Sequence, residues 1–448
     1  MATYIEPRVL KGFRDSMPQA EIARKGLIDS IESSFKSFGF VPIDTPCLEY
    51  AEILLGKGGG ETEKQVYRFK DNGGRDVALR YDLTVPFARF MAEHRAELPL
   101  PFKRYHIAKA WRGENTQRGR YREFIQCDFD IVGSPGPAAD FEILLVLKNT
   151  LEPICGGGVK IHFNHRGLFN RFLARLGLTD KSVEVLRTVD KLAKIGTQQT
   201  LDLLAVNAGD KANQIINYIE AKGTFEERLG LMTEAAGGSC PESECLARIY
   251  SFMKDTGSQD SFILDPSITR GLDYYTGIVY ETLLNDMPEI GSVGSGGRYD
   301  NLVGLYTKPN SAEQVGGVGA SIGIDRLIAA LESLGRLNEK ATYSMAAIAC
   351  VREEDAGLGQ ALAGKLRKEG IPCEVFADAA KLPKQYMLAE KKGIKWLIIP
   401  GENSFTGGAG SAVSDSGTFT VRDLSARDNR ELKAAELVQF LNSQKNSG

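Results

Sequence analysis

Histidine and tryptophan are scarce in this chain: four histidines (His94, His106, His162, His165) and two tryptophans occur among 448 residues. So few histidines exclude a histidine-rich metal cluster or a multi-histidine pH switch. Long apolar runs are absent as well. No segment approaches the roughly 18 uncharged apolar residues of a membrane span, and the opening MATYIEPRVLKGFRD has no apolar signal core. No membrane partner is expected, and the default location is cytoplasmic. The seven cysteines are odd in number and scattered, which fits a reducing compartment. Cys240 and Cys245 have no second pair or histidine partner nearby, so a zinc site is not expected. Charge excess is also missing: 55 Lys+Arg against 58 Asp+Glu leave a net charge of −3, and bulk composition gives no sign of a nucleic-acid partner. Two nucleotide-binding fingerprints fail on spacing. There is no Gly-x4-Gly-Lys-Ser/Thr, and in Gly317-Val-Gly319-Ala-Ser-Ile322 an isoleucine stands where a dinucleotide fingerprint needs its third glycine.

Glycine, by contrast, is abundant: 48 residues, about 11 % against a usual ~7 %, gathered in runs. The length allows about three domains. A helix begins after Asp15 or Ser16 with Pro18 in its first turn, carries Ile28, Ile31, Phe35 and Phe38 on one stripe, and stops at Gly39. Strand-like residues at 40–44 follow, kept at an edge or in an extended approach by Pro42 and Pro46. A Gly-rich turn at 56–60 leads to a hairpin around Asn72-Gly73-Gly74 and a helix from Thr84 and Pro86 to Arg95. Residues 102–132 read as two long strands around a polar loop. Residues 168–257 are Leu/Ala/Lys-rich with helical spacing and no convincing strand. Strand character returns at 261–264 and 277–284, Gly-rich segments follow at 291–297 and 316–323, and a helix runs over 324–334. The segments 345–351 (strand), 356–369 (helix), 373–376 (strand), 380–392 (helix), 396–399 and 418–421 (strands) and a closing helix at 429–442 form a compact α/β module with mixed strands. The domain expectation is a core in two parts, 1–167 and 258–340, a helical insertion at 168–257, and a C-terminal domain at 345–448.

The 102–132 hairpin carries chemistry. Alternation of period two puts Glu123, Ile125, Cys127, Phe129 and Ile131 on one face of its second strand and Phe124, Gln126, Asp128 and Asp130 on the other. Arg112 shares a face with Ala110, Ala108, His106 and Arg104. On spacing alone the polar face is a solvated one. Ala108 and Ala110, however, leave room beside Arg112, and two carboxylates with an amide suit an ammonium group. Residues 101–123 hold seven basic and two acidic residues, a net of +5, and arginines at that density suit phosphate. Residues 363–395 hold eight basic against four acidic, or +4. Arg270-Gly-Leu-Asp-Tyr274-Tyr275-Thr-Gly277 and Gly296-Gly-Arg298-Tyr299-Asp300 read either as tight turns or as binding turns, and Arg326 stands alone at a helix start.

Taken in order, these segments resemble the histidyl-tRNA synthetases, a family of class II aminoacyl-tRNA synthetases, over nearly the whole chain. Gly39-Phe-Val-Pro-Ile-Asp-Thr-Pro46 is similar to the first class signature, Ala110-Trp-Arg112-Gly-Glu114 through Arg120-Tyr-Arg-Glu-Phe124 to the second, and Gly317 to Leu327 to the third. Arg270–Tyr275 and Gly296–Asp300 resemble the two histidine-specific signatures, and Leu79–Arg89 matches the eukaryote-like branch. Many bacterial members carry Glu where this chain has Asp82 and Asp130, so reach is one methylene shorter at both.

The resemblance implies an α+β catalytic core, with an antiparallel sheet flanked by helices, and a C-terminal α/β anticodon-binding domain, although its 402–416 loop is long and Gly/Ser-rich. It implies a histidine–tRNA ligase that uses ATP as substrate with Mg²⁺, forms histidyl-adenylate, charges tRNA(His), and works as a homodimer. By the same resemblance Arg112 holds the α-phosphate and the histidine carboxylate, and Arg270 is the extra catalytic cation on the opposite side. Arg326 binds the γ-phosphate, Arg120 assists the triphosphate, and Glu114 sits near adenine or its metal. Asp82, Thr84, Gln126 and Asp130 receive the ammonium, with Leu83 in the same histidine site, and Tyr274 and Tyr275 border the imidazole. A non-catalytic relative, a regulatory subunit of a histidine-biosynthetic phosphoribosyltransferase, and a plain tRNA-binding adaptor are the competing readings.

Overall fold

The computed structural model describes residues 4–56, 61–269, 274–308, 315–337, 339–401, 404, 413 and 417–445. The chain divides into two compact units: Met1–Asp15 with Gly26–Leu337, and Ser16–Lys25 with Asn338–Gly448.

Helix α1 (Pro18–Ser37) is shared between the units, its residues from Gly26 onward belonging to the first. Its stripe puts Ile31 and Phe35 at zero exposure, and Gly39, at φ 79°, ends it while the Phe40 amide returns to the Phe35 carbonyl. Next come β1 (Val41–Pro42), β2 (Leu48–Tyr50), α2 (Ala51–Leu55), β3 (Arg68–Lys70), β4 (Asp76–Leu79) and α3 (Thr84–His94). Of the Gly-rich turn at 56–60, residues 57–60 lie outside the described residues. The strands β2-β4-β3 form a small sheet of their own.

Strands β5 (Phe102–Trp111) and β6 (Glu123–Val132) are the long hairpin. Helix α4 (Pro137–Cys155) and strand β7 (Val159–His165) follow in a stretch that the sequence reading leaves blank. The cause is physical. Ala139, Phe141, Ile143, Leu144, Val146, Leu147 and Leu151 of α4 are all buried, so the helix is apolar nearly all round and shows no stripe. Six helices follow between β7 and the next strand: α5 (Arg166–Arg175), α6 (Ser182–Val189), α7 (Leu192–Ala208), α8 (Ala212–Ile219), α9 (Phe225–Ala235) and α10 (Pro241–Asp255). Strands β8 (Phe262–Leu264), β9 (Ile278–Leu284), β10 (Gly294–Tyr299) and β11 (Gly317–Gly323), then helix α11 (Ile324–Ser333), complete the unit.

The main sheet has the order β1-β5-β6-β11-β10-β9-β7-β8. It is antiparallel except for its two short edge strands, β1 on β5 and β8 on β7. One face carries Tyr105, Cys127, Phe129, Ile131, Val318, Ala320, Ile322, Ile278, Tyr280, Ile161 and Phe163 into the core beneath α1, α4 and α11. The other face is polar and runs in registered rows. Arg104 stands opposite Asp130, then Gly319, Gly297, Val279 and Asn164; His106 stands opposite Asp128, then Ser321, Ser295, Glu281 and His162.

Around Asp128 and Asp130 this polar face is not solvated, contrary to what spacing alone favours. Asp128 and Asp130 are each 2 % exposed. Part of the cover is an apolar cluster formed by Phe87, Ala88 and Met91 of α3 with Phe102, Val132, Tyr299, Leu302 and Val303, against which Tyr274 and Tyr275 pack. A period-two pattern shows which side chains share a face but not whether later chain will cover that face.

In the second unit, β12 (Ala346–Ile348), β13 (Cys373–Val375), β14 (Trp396–Pro400), β15 (Thr418–Asp423) and β16 (Asn429–Lys433) form a sheet ordered β13-β12-β14-β15-β16, flanked by α12 (Asp355–Lys368), α13 (Leu382–Lys391) and α14 (Ala434–Lys445). The closing helix expected at 429–442 begins five residues later. Asp423 receives the amides of Ser425 and Ala426, and Arg427 takes φ 57°. The chain therefore folds back, and 429–433 pairs along β15 before a helix can start. Of the Gly/Ser-rich loop at 402–416, all but Ser404 and Val413 lies outside the described residues.

Gly319 is required by close approach. A Cβ there would overlap the Asp130 carboxylate and lie 2.8 Å from the Phe129 carbonyl oxygen. Gly319→Ala is therefore expected to lower stability by about 1–3 kcal/mol, read as a lower urea midpoint with an unchanged slope.

Candidate active site

Asp82 sits just before α3 and ends its orphan donors: Oδ1 accepts the Val85 amide at 3.0 Å, while Oδ2 accepts the Tyr274 hydroxyl at 3.2 Å. At 1 % exposure its carboxyl is pushed above the ordinary range by burial. Leu83 is fully buried, and Thr84 begins the helix beside Tyr274. Tyr274 and Tyr275 meet edge to face at 5.0 Å between ring centres, and Gly297 leaves the space that the Tyr275 ring occupies. Burial holds both phenols protonated.

On β6, Gln126 Nε2 donates to Ser321 Oγ at 2.8 Å. Asp130 is flanked on both sides: its Oδ1 accepts the Tyr299 hydroxyl at 2.6 Å, and its Oδ2 lies 2.7 Å from the Arg104 guanidinium. Arg104 has zero exposure and stacks over Phe87 at 4.0 Å. Asp128, between Gln126 and Asp130, has its pKa raised to about 7, chiefly by burial and further by Asp130 and Asp82, with Arg104 opposing.

A cationic group lies beyond. Arg112 donates its Nε–H to the Tyr81 carbonyl at 2.9 Å and lies over the Phe124 ring. Arg120 stands 3.6 Å from Glu114, in a loop closed by paired Gln117 and Arg120 backbone bonds. Arg326, in the first turn of α11, donates to the Ser292 carbonyl. Its pKa is depressed to about 10 by burial and by Arg120, with Arg112 adding to the repulsion and Glu114 and Glu281 opposing it. Arginines that repel one another while half-buried are arranged for a polyanion.

The +5 of the hairpin is thus not one patch. Lys103 pairs with Glu142, Arg104 with Asp130, Lys109 with Glu123, and Arg122 with the Glu114 and Lys11 carbonyls. A charge count over a segment cannot tell which cations already have partners. Among the expected site residues, Arg270 lies outside the described residues together with 271–273.

Arg14 was not singled out by the sequence reading, and Arg298, quoted there in a motif that could be a binding turn, has a structural role. Arg14 pairs with Asp325, which also receives the Ile125 amide, and Arg14 covers the Tyr121 ring; the N-terminal segment thereby holds the hairpin loop. Arg298 is not in the pocket: it clamps Asp140 at 2.7 Å and caps the Ser134 and Gly136 carbonyls. Only a partner far along the chain distinguishes such residues, so no local signal could have assigned them these roles.

A family model described as histidyl-tRNA synthetase matches residues 12–327, and one described as an anticodon binding domain matches 345–444. The chain belongs to the histidyl-tRNA synthetase family. The histidine–tRNA ligase of Treponema denticola is 49 % identical over 453 residues, covering 100 % of both chains. That of Rhodopirellula baltica is 46 % identical, covering 90 % of this chain and 92 % of its own. The crystal structure of histidyl-tRNA synthetase from a Nostoc species superposes with a TM-score of 0.86 at 27 % identity, covering 98 % of this chain and 100 % of that one. As a histidyl-tRNA synthetase the chain is an ATP-using class II ligase that activates histidine and charges tRNA with it. The mixed sheet flanked by helices and the separate C-terminal sheet domain are the fold of that family.

Two substitutions on one strand should act in opposite directions. Asp130→Asn leaves buried Arg104 without a counter-charge and is expected to cost about 3–5 kcal/mol. Asp128 ionises near pH 4 in the unfolded chain but near 7 when folded, so its charge costs nothing below pH 4 and most above pH 7. Asp128→Asn is therefore expected to gain ~2 kcal/mol over the parent at pH 8 and nothing at pH 4, as read by thermal melting.

Proposed function

We propose that the histidine site and the ATP site meet on the polar face of the main sheet. There the ammonium group is received by acceptors of β6 and the start of α3, and the triphosphate by the arginines beside them. The observation that carries this reading is the juxtaposition of buried carboxylates and an amide (Asp82, Gln126, Asp128) with the mutually repelling Arg112, Arg120 and Arg326. A ligand pair that is cationic at one end and polyanionic at the other suits both halves.

In the first step a carboxylate oxygen of histidine attacks the α-phosphorus, the bond to the β-phosphate oxygen breaks, and pyrophosphate leaves in line. No covalent enzyme nucleophile is needed; placement and charge lower the barrier. Arg112 holds the attacking carboxylate and the α-phosphate. Arg270 is the second catalytic cation. Arg326 takes the γ-phosphate, Arg120 steadies the triphosphate, and Glu114 lies toward adenine. Asp82 and Thr84 with Gln126 border the ammonium, Leu83 walls the site, and Asp130, paired with Arg104, lies beneath. Tyr274 and Tyr275 border the imidazole, and a polar pocket rejects apolar side chains because its own groups would be left unpaired.

In the second step a hydroxyl of the terminal ribose of tRNA(His) attacks the acyl carbon, and AMP leaves. Among the described residues no three His, Cys, Asp or Glu side chains converge on a metal site. Glu114 and Glu281, both acting on Arg326, suit Mg²⁺ carried in on phosphate oxygens, where it would neutralise developing charge. Exposed apolar side chains on β1 (Val41) and β2 (Leu48, Tyr50) support a homodimer, and seven unpaired cysteines support a cytoplasmic setting. No helix among the described residues is long and apolar enough to cross a membrane.

Charging of purified tRNA(His) with labelled histidine tests the whole reading; the regulatory-subunit and adaptor alternatives both yield no product. Arg270→Ala is expected to slow histidine-dependent ATP–pyrophosphate exchange about a hundredfold or more with little change in the KM for ATP, and an unchanged rate would remove Arg270 from the mechanism. Arg326→Ala should instead raise the KM for ATP.

A further inference from the structure

Resting on the histidine site proposed above, we infer that Asp128, with the amide oxygen of Gln126, is the direct contact for the ammonium group of the amino-acid substrate, rather than Asp130. Three buried carboxylates lie close enough to influence one another: Asp82, Asp128 and Asp130. Two of them have both oxygens engaged. Asp82 is held by the Val85 amide and the Tyr274 hydroxyl, and Asp130 by the Tyr299 hydroxyl and Arg104. Arg104 also offsets the charge of Asp130, so that carboxylate already has its cation.

Asp128 differs. It is 2 % exposed, and its Oδ1 has no hydrogen-bond partner among the described residues. Gln126 Oε1, two residues away on the same strand face, is likewise buried without a donor. Its orientation is fixed, because Gln126 Nε2 is committed to Ser321 Oγ. Directly across the ladder stands His106, whose Nε2 is 3.0 Å from Asp44 Oδ1. A carboxylate there requires the proton on Nε2, which leaves Nδ1 as a third buried acceptor without a donor. Acceptors left unpaired in the interior are costly, and several of them together call for a ligand that brings several N–H donors and a positive charge. A carboxylate or phosphate would bring more acceptors, and a neutral imidazole only one donor. An ammonium group brings three donors and the charge.

The test is direct binding to the full chain by calorimetry, which is independent of turnover. L-Histidine and L-histidinol carry the ammonium group, and imidazolepropionate lacks it. For Asp128→Asn and Asp128→Ser the affinities for histidine and histidinol should fall about tenfold to a hundredfold, the range for a charge-assisted hydrogen bond, while that for imidazolepropionate stays within about twofold. Equal weakening of all three ligands would mean a merely structural role and overturn the inference. So would unchanged histidine affinity in both Asp128 variants. A parent protein that binds none of the three ligands would overturn the histidine site itself, and this inference with it.

Discussion

The ion pair between Arg104 and Asp130 is the contact on which the pocket depends. Two opposite charges with essentially no solvent contact sit on directly opposed residues of β5 and β6, where neither can be left alone. Tyr299 from β10 completes the carboxylate's shell, and Phe87 from α3 covers the guanidinium. Three strands and a helix are tied together at one point beneath the proposed substrate. Because that pair is satisfied from below, the neighbouring acceptors of β6 remain open above.

The rest of the main sheet serves this arrangement through its two faces. The apolar face packs on three helices and gives the strands a rigid base. The polar face is kept shallow where β10 and β11 cross it by glycines, whose missing side chains admit the Asp130 carboxylate and the Tyr275 ring. Part of the glycine abundance has its cause here, alongside positive-φ turns such as that at Gly39. The glycines of β10 and β11 occupy ordinary strand geometry and are needed for space above the sheet, not for unusual backbone angles.

Charge is divided in the same way. A chain near neutrality contains a half-buried arginine group in which burial with Arg120 and Arg112 lowers the pKa of Arg326, next to the buried acids Asp82, Asp128 and Asp130 whose pKa values are raised. Each group is costly without its ligand, and each is relieved by the opposite end of a bound amino acid and nucleotide. Such strain at a site, with satisfied packing elsewhere, separates functional charge from structural charge. Arg298, bound to Asp140 and three further groups, is the structural kind, although its motif resembles a specificity signature.

Much of this molecule was legible as pattern. Period-two alternation placed Gln126, Asp128 and Asp130 on one face, a helical stripe placed Ile31 and Phe35 inward, and motif order pointed to the family. Pattern failed where the physical cause is distant. Helix α4, buried on nearly every side, has no stripe to read, and strand β16 owes its conformation to pairing with β15. The sequence by itself determined which side chains share a face and which chemistry they bring, because backbone periodicity is local. Only the tertiary structure decided that the polar face is roofed by α3, that Arg104 neutralises Asp130 instead of awaiting phosphate, and that Asp128 keeps an open oxygen, because solvent exclusion and charge pairing depend on residues far apart in the chain.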